Sequence, residues 1–194
     1  MRKLTVDDIT DLRAYERERD EFRTQVIDIK KRRRIQLGDI LTIVFENTDT
    51  MRWQVQEMAR AEKMLSDEQI AHELETYNAL IPDDDELSAT LLVELTSEPA
   101  LREWLPKLVG IQRSIGFWFD DGSQVRGFDP QEERLTREEE ITTTVHYLKF
   151  HFEPEQAKLL RDASAQLVVD HPEYDAVVKL SDEQRAELAG DLGE

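Results

Sequence analysis

The chain has no cysteine among its 194 residues. That one absence excludes an iron–sulfur cluster ligated by this chain, a thiolate zinc site, a thiol nucleophile and any disulfide. A disulfide-free chain of this length suits a reducing compartment. Glycine and proline are scarce, at 7 and 6. The glycines stand singly, so no phosphate-cradling loop can be built from them. No Pro/Gly/Ser linker divides the chain. No apolar run approaches the roughly 20 residues that span a bilayer, so no membrane partner is expected. Met1-Arg2-Lys3-Leu4-Thr5-Val6-Asp7 carries no apolar h-region of a signal peptide, and a cytoplasmic location is the expectation. Catalytic signatures are missing as well. There is no Gly-x-Ser-x-Gly elbow and no His-Glu-x-x-His pair. The Glu-x-x-His pair of di-iron bundles is absent too, because Gln69, Thr143, Leu148 and Val168 stand three places before the four histidines.

Positive charge is the other shortage. Lys+Arg number 25 against 43 Asp+Glu, for a net charge of −18. Residues 1–60 are nearly balanced, with 13 basic and 12 acidic residues, so the deficit arises after residue 60. The one dense basic run is Lys30-Lys31-Arg32-Arg33-Arg34. A nucleic-acid binder needs a basic footprint to neutralise phosphates. This run reads more simply as a solvated helix end, where cations favour the dipole, and nucleic acid is not an expected partner.

What is present suffices for a core. Apolar residues make up 39% of the chain, which argues against disorder, and the length suits one domain. That domain is expected over 1–175, with 176–194 as an acidic extension, partly helical or loose. Thr5-x-x-Asp8 resembles a capping box ahead of a long helix. Leu12, Tyr15, Phe22, Val26 and Ile29 draw one apolar stripe along it, with Arg19 inside the stripe. Gly38 is expected to end that helix near Gln36. Ile40 to Phe45 reads as a strand covered on both faces. A helix pair is expected over 50–79. Met51, Val55, Met58, Glu62 and Leu65 line the first helix, while Ile70, Leu74 and Tyr77 line the second. Further strands are expected at 89–95, 115–119, 124–128, 142–152 and 165–169, with Asp120-Asp121-Gly122-Ser123 turning a hairpin. Helices are expected at 98–109, 155–163 and 181–188, and a charged loop at 129–140. The expected fold is α+β: a mainly antiparallel sheet of about five or six strands with the long N-terminal helix and the helix pair packed on it.

Few residues are candidates for chemistry. His146 shares a face with Leu148, Phe150 and Phe152, whereas His151 points to the opposite face. One strand cannot aim both at one metal. A mononuclear site would need His146 with His171, Glu57 or Glu62; otherwise His146 is a satisfied core histidine. Glu57 and Glu62 lie about 140° apart around a helix and do not converge. Glu62 in an apolar row is either a tuned acid or base or the partner of Arg19, which occupies the same odd place on its own helix. His72 reads as an exposed helix residue. Pro172 extends the backbone at His171, in a structural turn or a site rim. Trp53, Trp104 and Trp118 read as core or interface anchors.

Several segments together resemble a bacterial family known as domain of unknown function 3501. They are Tyr15-Glu16-x-x-Arg19-x-x-Phe22-Arg23, Phe45-Glu46-Asn47-x-x-Thr50-x-x-x-Gln54-x-x-Glu57-Met58-x-x-Ala61-Glu62, Tyr77-Asn78-x-Leu80-Ile81-Pro82, Val145-His146-Tyr147-Leu148-Lys149-Phe150 and Asp170-His171-Pro172-x-Tyr174. Where that family usually reads Thr-Ser-Ala-Val-His, this chain has Thr142-Thr143-Thr144-Val145-His146. The resemblance runs over about residues 4–175 and adds Tyr77 to the candidate set. It carries no defined catalytic residue. Its members are often encoded beside rubrerythrin-like and iron–sulfur heterodisulfide-reductase-like proteins. The resemblance therefore implies a role in redox or peroxide defence. Together with the missing catalytic signatures it makes an accessory protein docking onto a redox partner the leading expectation, and a basic helix end beside an acidic remainder suits such docking. The alternative is a metal- or small-molecule-dependent enzyme using His146, His171 and a helix carboxylate. Self-association is compatible with either.

Overall fold

The computed structural model describes residues 1–130 and 141–193. Thr5 and Asp8 do form a capping box, but it closes a single 3-10 turn, Val6–Asp8. The long helix α1 (Leu12–Arg33) begins later, where the Asp11 carboxylate accepts from the backbone N–H groups of Arg13 and Ala14. It also ends earlier than the periodicity suggests. Arg34-Ile35-Gln36-Leu37 alternates exposed and buried side chains and forms strand β1 (Arg34–Leu37). Gly38, at φ +69°, turns the chain into β2 (Leu41–Glu46). The glycine thus makes a hairpin and does not cap the helix.

Asn47 caps α2 (Thr48–Glu62), and Ser66 caps α3 (Asp67–Asn78). Lys63, in the left-handed region at φ 55°, stops α2. Its buried face is Met51, Val55 and Ala59. Glu62 is therefore exposed in the last turn, and Leu65 lies beyond the helix, 86% exposed. The expected stripe holds at Met51 and Val55, and Met58 packs on the same core, but it fails at Glu62 and Leu65, where the helix stops.

Then come β3 (Glu86–Val93), α4 (Glu98–Lys107), the hairpin β4 (Ile115–Phe119) and β5 (Gln124–Phe128), and β6 (Val145–His151). Of the charged loop expected at 129–140, residues 131–140 lie outside the described residues. Pro154 opens α5 (Pro154–Asp162) at a position where its missing N–H costs nothing. The chain closes with β7 (Ala165–His171), β8 (Tyr174–Lys179) and α6 (Asp182–Ala189).

The described strands number eight, not five or six, in one sheet of order β1-β2-β3-β6-β5-β4-β7-β8. Every neighbouring pair is antiparallel. The missed strands are the two ends, β1 and β8. β1 has only four residues, and β8 breaks its alternation at Ala176-Val177-Val178, with Val177 exposed. The sheet curls toward a barrel, and one side chain spans the gap between its ends. Tyr174, at the start of β8, donates to the Leu37 carbonyl (2.7 Å) and accepts from the Asp39 and Ile40 N–H groups (2.9 and 3.3 Å).

Two cores follow from the strand alternation. The inner face gathers Ile35, Ile43, Phe45, Leu91, Phe117 and Phe150 into one cluster, with Phe117 packed edge-on against Phe150 and Phe152. Residues beyond 175 belong to this same cluster through Ala176, Leu180, Leu188 and Leu192. The segment expected to be partly helical or loose carries α6 and packs on this core. The second core is a helical layer built on Met51, Val55, Ile70, Leu74 and Leu80. No helix among the described residues is long and apolar enough to cross a membrane.

Candidate functional site

The outer face of β2, β3 and β6 is only partly covered by the helical layer. Strand register sets Val44 beside Thr90, Thr90 beside Tyr147, and Leu92 beside Val145. Met51 and Gln54 of α2, with Tyr77 and Leu80 from α3 and just after it, form one wall over that floor. Lys30 and Arg34 form the rim. The result is an open groove of about 340 Å³.

Glu46 lies in this groove and is 3% exposed. It ends the apolar run of β2 on the same face as Val44. Its Oε1 accepts from the Thr90 hydroxyl at 2.8 Å. Its Oε2 is buried with no hydrogen-bond partner among the described residues. A buried acceptor left unpaired costs on the order of 1–3 kcal/mol. Natural folds keep few such atoms. Tyr77 stands nearby. Burial raises its pKa, and the neighbouring Glu73, Tyr147 and Glu62 raise it further, so it stays a neutral phenol. Arg34 is paired with Glu94. Lys30 has no ion-pair partner among the described residues. Val145 and Tyr147 remain 41% and 40% exposed on the open side.

The other candidates are engaged elsewhere. Arg19 bonds Glu57, not Glu62: its Nε and Nη2 donate to the two carboxylate oxygens at 2.8 and 2.7 Å. Tyr15 donates to the same carboxylate at 2.7 Å. These hydrogen bonds, Arg19's first, outweigh partial burial and lower the Glu57 pKa. Arg19 also lies over the Trp53 ring, inside an edge-packed group of Tyr15, Phe22 and Trp53. The set locks α1 to α2.

His146 is buried, as its strand phase implies. Its Nε2 lies 3.1 Å from both the Thr143 carbonyl and the Thr142 hydroxyl. A carbonyl only accepts, so Nε2 carries the proton. His171 uses one ring nitrogen on its own hairpin and the other to tie that hairpin to the segment after α4. Nε2 donates to the Val109 carbonyl (3.0 Å), and Nδ1 accepts from the Glu173 N–H (3.2 Å). The two histidines sit on strands three places apart in the sheet order. Among the described residues no three His, Asp or Glu side chains gather where a metal ion could be held. Four of the five cations of the basic run are paired internally. Lys31 pairs with Asp28, Arg32 with Glu187, Arg33 with Glu187 and Asp191, and Arg34 with Glu94.

Sequence reasoning missed Glu46 and Thr90. The signal was there: continuing the β2 alternation two places past Val44 sets a carboxylate on a covered face. What defines this protein is an antiparallel near-barrel with a helical layer and an outer groove over a buried carboxyl. The chain matches, over residues 3–192, the family described as protein of unknown function (DUF3501), and it belongs to that family. It is similar to a crystal structure described as a novel protein of unknown function from Burkholderia pseudomallei. The two share 34% identity and a TM-score of 0.91, over 98% of this chain and 100% of that one. No curated protein matches.

Proposed function

We propose that this chain is an accessory protein that docks onto a redox partner and receives a segment of it in the groove over β2, β3 and β6. The carrying observation is the groove's open side, where Val145 and Tyr147 are about two-fifths exposed beside a concave, partly apolar wall. Aromatic side chains of this kind anchor protein contacts. The redox assignment comes from the family resemblance, which points to rubrerythrin-like and iron–sulfur heterodisulfide-reductase-like neighbours. The enzyme alternative would need His146 and His171 to act together with a helix carboxylate. His146 instead bonds the local Thr143 carbonyl, His171 bonds the Glu173 N–H and the distant Val109 carbonyl, and Glu57 holds Arg19.

The test is direct binding of the purified full chain to each redox protein encoded beside it, read by biolayer interferometry. We expect one of them to bind, and Tyr147→Asp to weaken that complex about tenfold by placing a charge in the contact. Failure of every neighbour to bind, or a Tyr147→Asp variant that binds as the native chain does, sinks the reading.

A further inference from the structure

We propose that the occupant of the groove is a lysine side chain of the partner, its ammonium meeting the unpartnered Oε2 of Glu46. The proposal rests on the docking reading and adds what the groove selects.

The argument starts from the buried carboxyl. Glu46 is 3% exposed, and only one of its oxygens is satisfied. An acceptor so placed attracts a donor, and a carboxylate favours a cationic one, whose hydrogen bond is roughly twice as strong as a neutral one. The walls then set the shape of that donor. Val44, Met51, Leu80 and Leu92 are apolar, so the cation must arrive on a hydrocarbon stem. Lysine has such a stem, and it buries the stem readily.

Arginine fits less well, for a geometric reason. Its planar fork pairs best with both oxygens of a carboxylate. Here Oε1 is already taken by the Thr90 hydroxyl. One free oxygen suits a point charge, which is what an ammonium is. The rim adds a further requirement. Lys30 carries a charge without an ion-pair partner among the described residues, so the lysine that enters is one flanked by acidic residues in the partner.

The probes are capped tripeptides, acetyl-Glu-Lys-Glu-amide and its arginine and norleucine counterparts, titrated into the full chain by isothermal calorimetry. We expect the lysine peptide to bind tightest, with norleucine about tenfold weaker, since it keeps the stem and loses the charge. Glu46→Gln should erase the lysine–norleucine difference while thermal melting shows the fold retained. Thr90→Val frees Oε1 and should move the preference toward arginine. Norleucine binding as tightly as lysine, or Glu46→Gln keeping the preference, overturns the inference. Lysine-peptide binding without binding of any redox neighbour would overturn the docking reading and keep the site. A neighbour that binds the native chain and Glu46→Gln alike would overturn this inference and keep the docking reading.

Discussion

Glu57 on α2 accepts three hydrogen bonds from α1, two from Arg19 and one from Tyr15. A charge in the Tyr15 stripe had to find a partner, and the sequence showed that much: Arg19 interrupts an apolar row. Which carboxylate it meets depends on the rotation of α2 about its own axis. That rotation is set by the Asn47 cap and the left-handed Lys63, and neither is a matter of hydrophobic period. Hence Glu62 was expected and Glu57 is found. The carboxylate's lowered pKa gives the contact a pH signature. A depressed folded-state value contributes stability that is full above the ordinary 4.5 and is lost as pH falls through the folded value. We expect Glu57→Gln to lower stability at pH 7 by about 2 kcal/mol. The deficit should shrink below pH 4.5 as the native carboxylate protonates. Urea midpoints of both proteins across that window test it, and a deficit independent of pH would assign the loss to packing.

At the scale of elements, the C-terminal segment shows what composition hides. Residues 176–194 are acidic and read as an extension, yet α6 is held to the end of α1 by ion pairs that its acidity supplies. Arg33 is 2% exposed and bonds Asp191 through both terminal nitrogens, at 2.5 and 2.6 Å, with Glu187 on its Nε. Burial opposes the Arg33 charge, and the bonds from Asp191 and Glu187 overcome it, so its pKa is raised. Burial pushes the Asp191 carboxyl up in turn, against the pull of Arg33. Arg33 lies 154 and 158 residues from Glu187 and Asp191 in sequence, so no local pattern could announce the contact. Breaking such a pair leaves a buried cation short of its partner. We expect Asp191→Ala to cost about 3 kcal/mol. Replacing both partners, as Arg33→Met with Asp191→Leu, should cost less than the single change, because no charge is then stranded. Chemical denaturation of the three variants reads this directly. A double variant worse than Asp191→Ala would mean the pair itself outweighs its desolvation.

At the scale of the whole molecule, the helices and inner strands were legible because their periods are long or unmixed: α3, α5, β2 and the β4–β5 hairpin all stand where the pattern set them. The closure of the sheet was not, because it hangs on one hydroxyl and one glycine that no period marks. Gly38 sits at φ +69°, and a Cβ there would stand 2.2 Å from the Tyr174 hydroxyl. That hydroxyl cannot simply move aside, since it holds the Leu37 carbonyl and the Asp39 and Ile40 N–H groups. The two residues are therefore one device. Tyr174→Phe should cost about 2 kcal/mol, for the backbone groups it leaves unpaired. Gly38→Ala should cost more, since backbone strain of about 1 kcal/mol adds to the steric displacement of Tyr174. In the Tyr174→Phe background the hydroxyl clash is gone, the bonds are already lost, and only the milder ring contact at 3.1 Å remains. The Gly38→Ala cost should then fall toward the strain alone. Thermal unfolding of the two single variants and the double variant measures that coupling. Strictly additive losses would show that β8 reaches the β1–β2 hairpin independently of Tyr174.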